Sequence, residues 1–157
     1  MRMDQAASLK DKGRQTRVIA VGSGKGGVGK TNVVANLACV LADLGRKVLV
    51  LDADLGLANL DVLLGFAPQY NLSHVLSGEK NLEDIVIDGP KGIKVIPASS
   101  GIQEVTHMGA QEQRILLDQM EIFDGQFDYL FIDTAAGISE MVTSFLVAGQ
   151  PTHPLWW

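Results

Sequence analysis

Eight consecutive residues, Gly24-Lys25-Gly26-Gly27-Val28-Gly29-Lys30-Thr31, have types and spacing suited to holding phosphate. They fit G-x-x-x-x-G-K-[ST], the pattern of a phosphate-binding loop. Glycine lets the backbone curl so that successive N–H groups converge on an anion. Lys30 supplies a cation for the terminal phosphates, and the Thr31 hydroxyl a ligand for magnesium. A helix after the loop adds its positive N-terminal end. Lys25, directly after the first glycine, goes beyond the general pattern. The alternative is a glycine-rich turn that fits by coincidence. The flanks speak against it: strand-like Val18-Ile19-Ala20-Val21 precedes the loop and a helix-like run follows.

Three carboxylates stand where a second half of such a site is needed. Val48-Leu49-Val50-Leu51 is a continuous apolar run, suited to a parallel strand covered on both faces, and Asp52, Ala53 and Asp54 follow it. Ligands in open α/β sheets bind at the C-terminal edge of the strands. If the strand continues, side-chain alternation puts Asp52 and Asp54 on one side. Two carboxylates aimed at phosphate need a cation between them, or a water to activate; the alternative is a polar strand end with a helix cap. Tyr129-Leu130-Phe131-Ile132 likewise ends in Asp133, the Walker B arrangement, in which the carboxylate organises magnesium. Gly137 follows, where a backbone N–H can approach a terminal phosphate.

The elements that must position these groups follow from periodicity. Residues 17–22 read as the first strand. A helix is predicted from Gly29 to Leu44, with Val33, Leu37, Val40, Leu41 and Leu44 as its apolar face and Gly45 as its stop. Cys39 on that helix reads as a small buried filler. Leu57, Leu60, Leu63 and Leu64 form a second stripe, read as core. Residues 65–81 read as loop, with His74 isolated in it. Leu82 to Val86 suggests a short helix, and Ile93 to Pro97 a short strand followed by a polar turn, Ala98 to Gly101. A helix over Gln111 to Phe123 is predicted to bury Ile115, Leu116, Met120 and Phe123, and another starts at Ser139. His74, His107 and a lone cysteine do not make a transition-metal site.

The chain has 157 residues, which suggests one domain, and 46% apolar residues, ordinary for a globular protein. No apolar run approaches the roughly 18 residues that span a bilayer, and the polar N-terminus does not read as a secretory signal. One cysteine rules out an internal disulfide framework and suggests a reducing compartment. The net charge of −5 argues against a bulk electrostatic grip on nucleic acid. Residues 1–16 form a basic arm through Lys10, Lys12 and Arg14, with a helix-like stretch from Asp4 to Lys10; a frayed leader is the alternative. Residues 150–157, rich in proline and tryptophan, show neither helical nor strand periodicity.

Lys25-Gly26-Gly27-Val28-Gly29-Lys30-Thr31 resembles the deviant Walker A motif of the MinD/ParA ATPases. The run from Asp52 to Asp61 resembles their switch I, and Asp133-Thr134-Ala135-Ala136-Gly137 their switch II. Within that family the wording is most similar to the FlhG (FleN) branch of flagellar-number regulators. Two places carry this: Asp-Leu-Gly-Leu-Ala-Asn at 54–59, and Asp4-Gln5-Ala6 followed by Leu9 and Lys10. The resemblance implies an α/β fold, a P-loop NTPase-type parallel sheet with helices on both faces. It also implies a cytoplasmic ATPase that uses ATP and Mg2+ and forms a homodimer on ATP. By the same resemblance, Lys25 reaches the partner's phosphates, Lys30 and Thr31 serve their own subunit, Asp54 positions or activates water, and Asp52 and Asp133 organise the magnesium shell. Gly24, Gly26, Gly27, Val28, Gly29 and Gly137 complete the nucleotide contacts. Asp4, Gln5, Leu9 and Lys10 resemble the segment by which FlhG stimulates its partner GTPase, FlhF. Lys10 stands where that motif usually has arginine, which keeps the charge and loses the planar fork. Flagellar switch components are further expected partners.

Family members are about twice this length, so residues 17–149 are expected to form the N-terminal part of the ATPase domain. The sheet is then incomplete at its C-terminal end, the amphipathic membrane helix is missing, and 150–157 is an atypical tail. An unpaired sheet flank and uncovered apolar surface follow from that expectation. Two other readings compete: a MinD-type division-site or ParA-type partition ATPase, and a non-enzymatic fragment that retains only the partner-binding arm.

Overall fold

The computed structural model describes residues 15–22, 25, 29–53, 60–65, 67–97, 109–134 and 155–156. Five parallel strands and one short antiparallel strand form a single sheet in these residues. The strands are β1 (Arg17–Gly22), β2 (Val48–Ala53), β3 (Ile87–Asp88), β4 (Lys94–Ile96), β5 (Tyr129–Thr134) and β6 (Leu155–Trp156), in the order β3-β4-β2-β5-β1-β6. Only β3 runs antiparallel, against β4. Strand β5 lies between β1 and β2, paired in parallel with both. This reversal of strand order places a ligand crevice at the C-terminal ends of β1, β5 and β2.

Side chains alternate along each strand, so every strand feeds two cores. On one face Val21, Val48, Val50, Val95 and Phe131 pack under α1 (Lys30–Asp43) and the short α2 (Leu60–Leu64). On the other, Val18, Leu49, Leu51, Leu130 and Ile132 pack under α3 (Leu72–Leu76) and α4 (Ala110–Met120). Strand β2 is buried at all six positions, as its unbroken apolar run predicts for a covered parallel strand. The expected parallel sheet with helices on both faces is present. Among the described residues no helix is long and apolar enough to cross a membrane.

Helix α1 presents a different face from the one its large apolar residues predict. Val34, Ala35 and Ala38 are buried, whereas Leu37, Val40 and Leu44 are 38%, 55% and 70% exposed. The phase is set at the helix start. Lys30, Val34 and Ala38 recur at i, i+4 and i+8, so turning Lys30 inward to the sheet edge turns those small residues inward too. Small side chains also let the helix sit close to the sheet. Cys39 is half-buried; burial, then the Asp43 carboxylate, pushes its thiol pKa up against the opposing Lys91 ammonium. Gly45, at φ 77°, ends the helix in a Schellman turn: its N–H donates to the Ala42 carbonyl and the Arg46 N–H to that of Leu41.

Other expectations shift locally. Leu60 is buried, but Leu63 is 45% exposed, so the second leucine stripe is not all core. The loop expected over 65–81 contains α3, nucleated by Asn71: its side chain accepts from the Ser73 N–H at 3.0 Å, and its own N–H donates to His74 Nδ1 at 3.2 Å. His74 therefore works as a cap, with its ring edge-on to Tyr70. The short helix at 82–86 is a 3₁₀ turn, Leu82–Ile85. The helix over 111–123 is α4 with a 3₁₀ extension, Glu121–Phe123, and buries Leu116, Met120 and Phe123. Leu155–Trp156, in the stretch read as lacking strand character, pairs in parallel with Val21 and Gly22 on the outer edge of β1. The helix predicted from Ser139, the turn at 98–101 and His107 lie outside the described residues.

Thr16, assigned to the arm by the sequence, is 5% exposed and pins β1 to the turn before β5. Its hydroxyl donates to the Phe127 carbonyl at 2.9 Å and accepts from the Gly125 N–H at 3.0 Å. Thr16→Val keeps the shape but strands both backbone groups. It is expected to lower stability by about 1–3 kcal/mol in a denaturant titration; a loss within about 0.5 kcal/mol would show that the tie is dispensable.

Candidate nucleotide site

The loop after β1 leads into α1 through Gly29, whose φ of 88° lies in the left-handed region. A side chain there is strained by about 1–2 kcal/mol even though the space around it is open. The Gly29 carbonyl accepts the first helical bond, from the Val33 N–H at 3.1 Å. The N–H groups of the first turn cannot be satisfied within the helix. They and the helix dipole face the loop, as an anion requires.

The two lysines of this loop have opposite environments. Lys30, the first residue of α1, is 7% exposed, whereas Lys25 stands exposed. Thr31, one position on, is half-buried at the same helix end.

Asp52 and Asp133 meet this edge from the sheet. They are register partners on β2 and β5, and Asp133 is also level with Val21, the penultimate residue of β1. Both are nearly fully buried, at 2% and 1% exposure. Alternation places them on the same face as Val21, Val48, Val50 and Phe131, the face covered by α1. The Leu60 N–H, at the start of α2, donates to Asp52 Oδ2 at 3.3 Å. Sequence reasoning did not single out this backbone contact, because nothing in the residue type of Leu60 signals it.

Two carboxylates from neighbouring strands and a threonine hydroxyl are hard oxygen donors, the type that magnesium takes, with water completing its shell. The donor set therefore fits a magnesium ion at the edge that also carries the anion-binding helix end. Of the residues the sequence nominates, Lys25, Gly29, Lys30, Thr31, Asp52 and Asp133 are described; Asp52 and Asp133 lie at the C-terminal ends of β2 and β5, and Gly29, Lys30 and Thr31 open the helix that follows β1. Gly24, Gly26, Gly27, Val28, Asp54 and Gly137 lie outside the described residues, as do Asp4, Gln5, Leu9 and Lys10 of the arm.

Comparison with known proteins agrees with this geometry. A family model described as an AAA domain, AAA_31, matches residues 16–150. Antiactivator FleN of Pseudomonas aeruginosa is 50% identical over 134 residues, covering 85% of this chain and 48% of that protein. The flagellum site-determining protein YlxH of Helicobacter pylori is 41% identical over 153 residues, covering 96% of this chain and 51% of that protein. The chain thus spans about half the length of these curated relatives. Among solved structures, the septum site-determining protein MinD of Pyrococcus horikoshii, complexed with Mg-ADP, superposes with a TM-score of 0.73 at 33% identity, covering 89% of this chain and 57% of that one. With the family model covering most of its length and a MinD-like sheet carrying the phosphate loop, the chain belongs to the AAA_31 family of AAA domains.

Proposed function

We propose that this chain carries the catalytic half of an ATP-binding and ATP-hydrolysing dimerisation switch of the MinD-like family that regulates flagellar number or placement. The observation that carries the reading is the contrast between its two loop lysines beside a paired set of buried carboxylates. The burial of Lys30 supports a role in holding the phosphates of its own subunit, and the exposure of Lys25 supports a role towards a second copy. Similarity to FleN and YlxH supports the flagellar role over division-site or partition roles, and the Mg-ADP complex of MinD supports ATP and magnesium as ligands.

The chemistry asked of the protein is mostly positioning and charge compensation. The first turn of α1 and Lys30 hold the phosphate chain. Asp52, Asp133 and Thr31 would hold magnesium, which supplies charge neutralisation to the phosphoryl oxygens when bound. Asp54, two residues past Asp52, is assigned to orient the attacking water, and Gly137 to bring a backbone N–H to the terminal phosphate. Lys25 from the second copy completes the charge around that phosphate, so hydrolysis waits for dimerisation. The N-terminal arm, through Asp4, Gln5, Leu9 and Lys10, is assigned to stimulate an FlhF-type GTPase, with flagellar switch components as further partners. The cycle belongs to the cytoplasm.

Lys25→Ala separates this reading from a simple nucleotide-binding domain. It is expected to abolish ATP-driven dimerisation in sedimentation velocity and to leave nucleotide affinity within a few-fold of the parent. Dimerisation equal to the parent's would rule out the trans role.

A further inference from the structure

We propose that residues 1–14, the chain's own basic N-terminal segment, dock back into an apolar cavity at the N-terminal edge of the sheet and are thereby withheld from a partner. The cavity, of about 80 Å³, lies on the face opposite α1. Its floor is Val18, Leu49 and Leu130, each the second residue of its strand, and its walls are Leu117, Met120 and Phe123 of α4 and the following turn. The nucleotide edge lies at the other end of the same strands, so the two sites are separate. A cavity lined this way does not favour water, and an apolar side chain fills it at a gain.

The occupant follows from position and charge. Thr16 is itself part of the lining, so the segment enters the fold at the cavity mouth. Leu9 precedes Thr16 by seven residues, a link of at most about 25 Å when extended, and Gly13 within it permits the reversal. Leu9 is the segment's only leucine, flanked towards the fold by Lys10, Lys12 and Arg14. At the cavity end of the fold, Asp118, Glu121 and Asp124 recur at three-residue spacing and are all exposed, and Glu121 and Asp124 belong to the cavity itself. Leu9 fills the cavity while the basic residues lie along this acidic strip. The withholding half of the inference rests on the arm's partner-binding role; the docking half does not.

Trypsin reads the docking directly, because Lys10, Lys12 and Arg14 are its cleavage sites. In the full chain, Leu9→Asp and Glu121→Arg are each expected to speed cutting at Lys10 and Lys12 by about tenfold, as the undocked population rises. The melting temperature falls by only a few degrees, because only the docking free energy is lost and Glu121 is itself exposed. Equal cutting rates in all three proteins would overturn the docking. Protection that fades on dilution would also overturn it, because the segment would then sit on a second copy. Faster cutting by Glu121→Arg with no gain in stimulation of an FlhF-type GTPase would overturn the withholding alone.

Discussion

Lys30→Met is expected to weaken ATP binding by roughly ten- to a hundredfold, the cost of losing a charge-assisted contact to phosphate. The ligand-free protein should melt at the same temperature or higher. These opposite signs follow from one fact: Lys30 is 7% exposed at the start of α1. Burying an ammonium costs free energy that a methionine of similar length does not incur. The same burial reduces screening by salt and water, so the charge acts strongly on a bound phosphate. Thermal melts with and without MgATP test both halves. A variant that melts lower when ligand-free yet keeps its full shift with MgATP would show that Lys30 is a packing residue.

Asp133→Asn is expected to remove the magnesium dependence of nucleotide binding and to slow hydrolysis by about a hundredfold or more. Asp133 and Asp52 are level on neighbouring strands, which lie about 4.8 Å apart in a sheet. Two carboxylates so close and so buried disfavour each other's charge, and a divalent cation turns that cost into binding energy. Replacing one by a neutral amide removes both the repulsion and the cation's anchor. Asp52→Asn is expected to be milder, because an asparagine oxygen can still accept from the Leu60 N–H that holds Asp52 now. Magnesium titrations of ATPase rate in the two variants give the ranking. A larger loss at Asp52 would place the dominant metal contact on β2.

Much of the site was legible because its signals are local. A buried parallel strand needs an unbroken apolar run, and a carboxylate directly after such a run has little choice but the C-terminal edge of the sheet. That is why Asp52 and Asp133 could each be set at this edge before the register of their strands was known, while their joint role around magnesium came from the family resemblance. The rotation of α1 was not legible. Its sequence carries apolar side chains on more than one face, and size favoured Leu37, Val40 and Leu44. Instead Val34 and Ala38 turn inward in phase with the buried Lys30 at the helix start. Strands β3 and β6, of two residues each, are too short for any period to register. Helix α3 has only five residues, and its signal is the Asn71 cap rather than a stripe. Thr16 gave no sign of its place, because its partners lie more than a hundred residues away.

The central claim is that the phosphate loop and the Asp52–Asp133 pair form one magnesium–nucleotide site. Calorimetric titration of the full chain with ATP, in the presence and absence of Mg2+, tests it most directly. Binding should be saturable with magnesium and at least about tenfold weaker without it, a difference of about 1.4 kcal/mol, and Asp133→Asn should erase that difference. Equal affinity with and without magnesium in the unaltered chain, or a full magnesium response in Asp133→Asn, would contradict it.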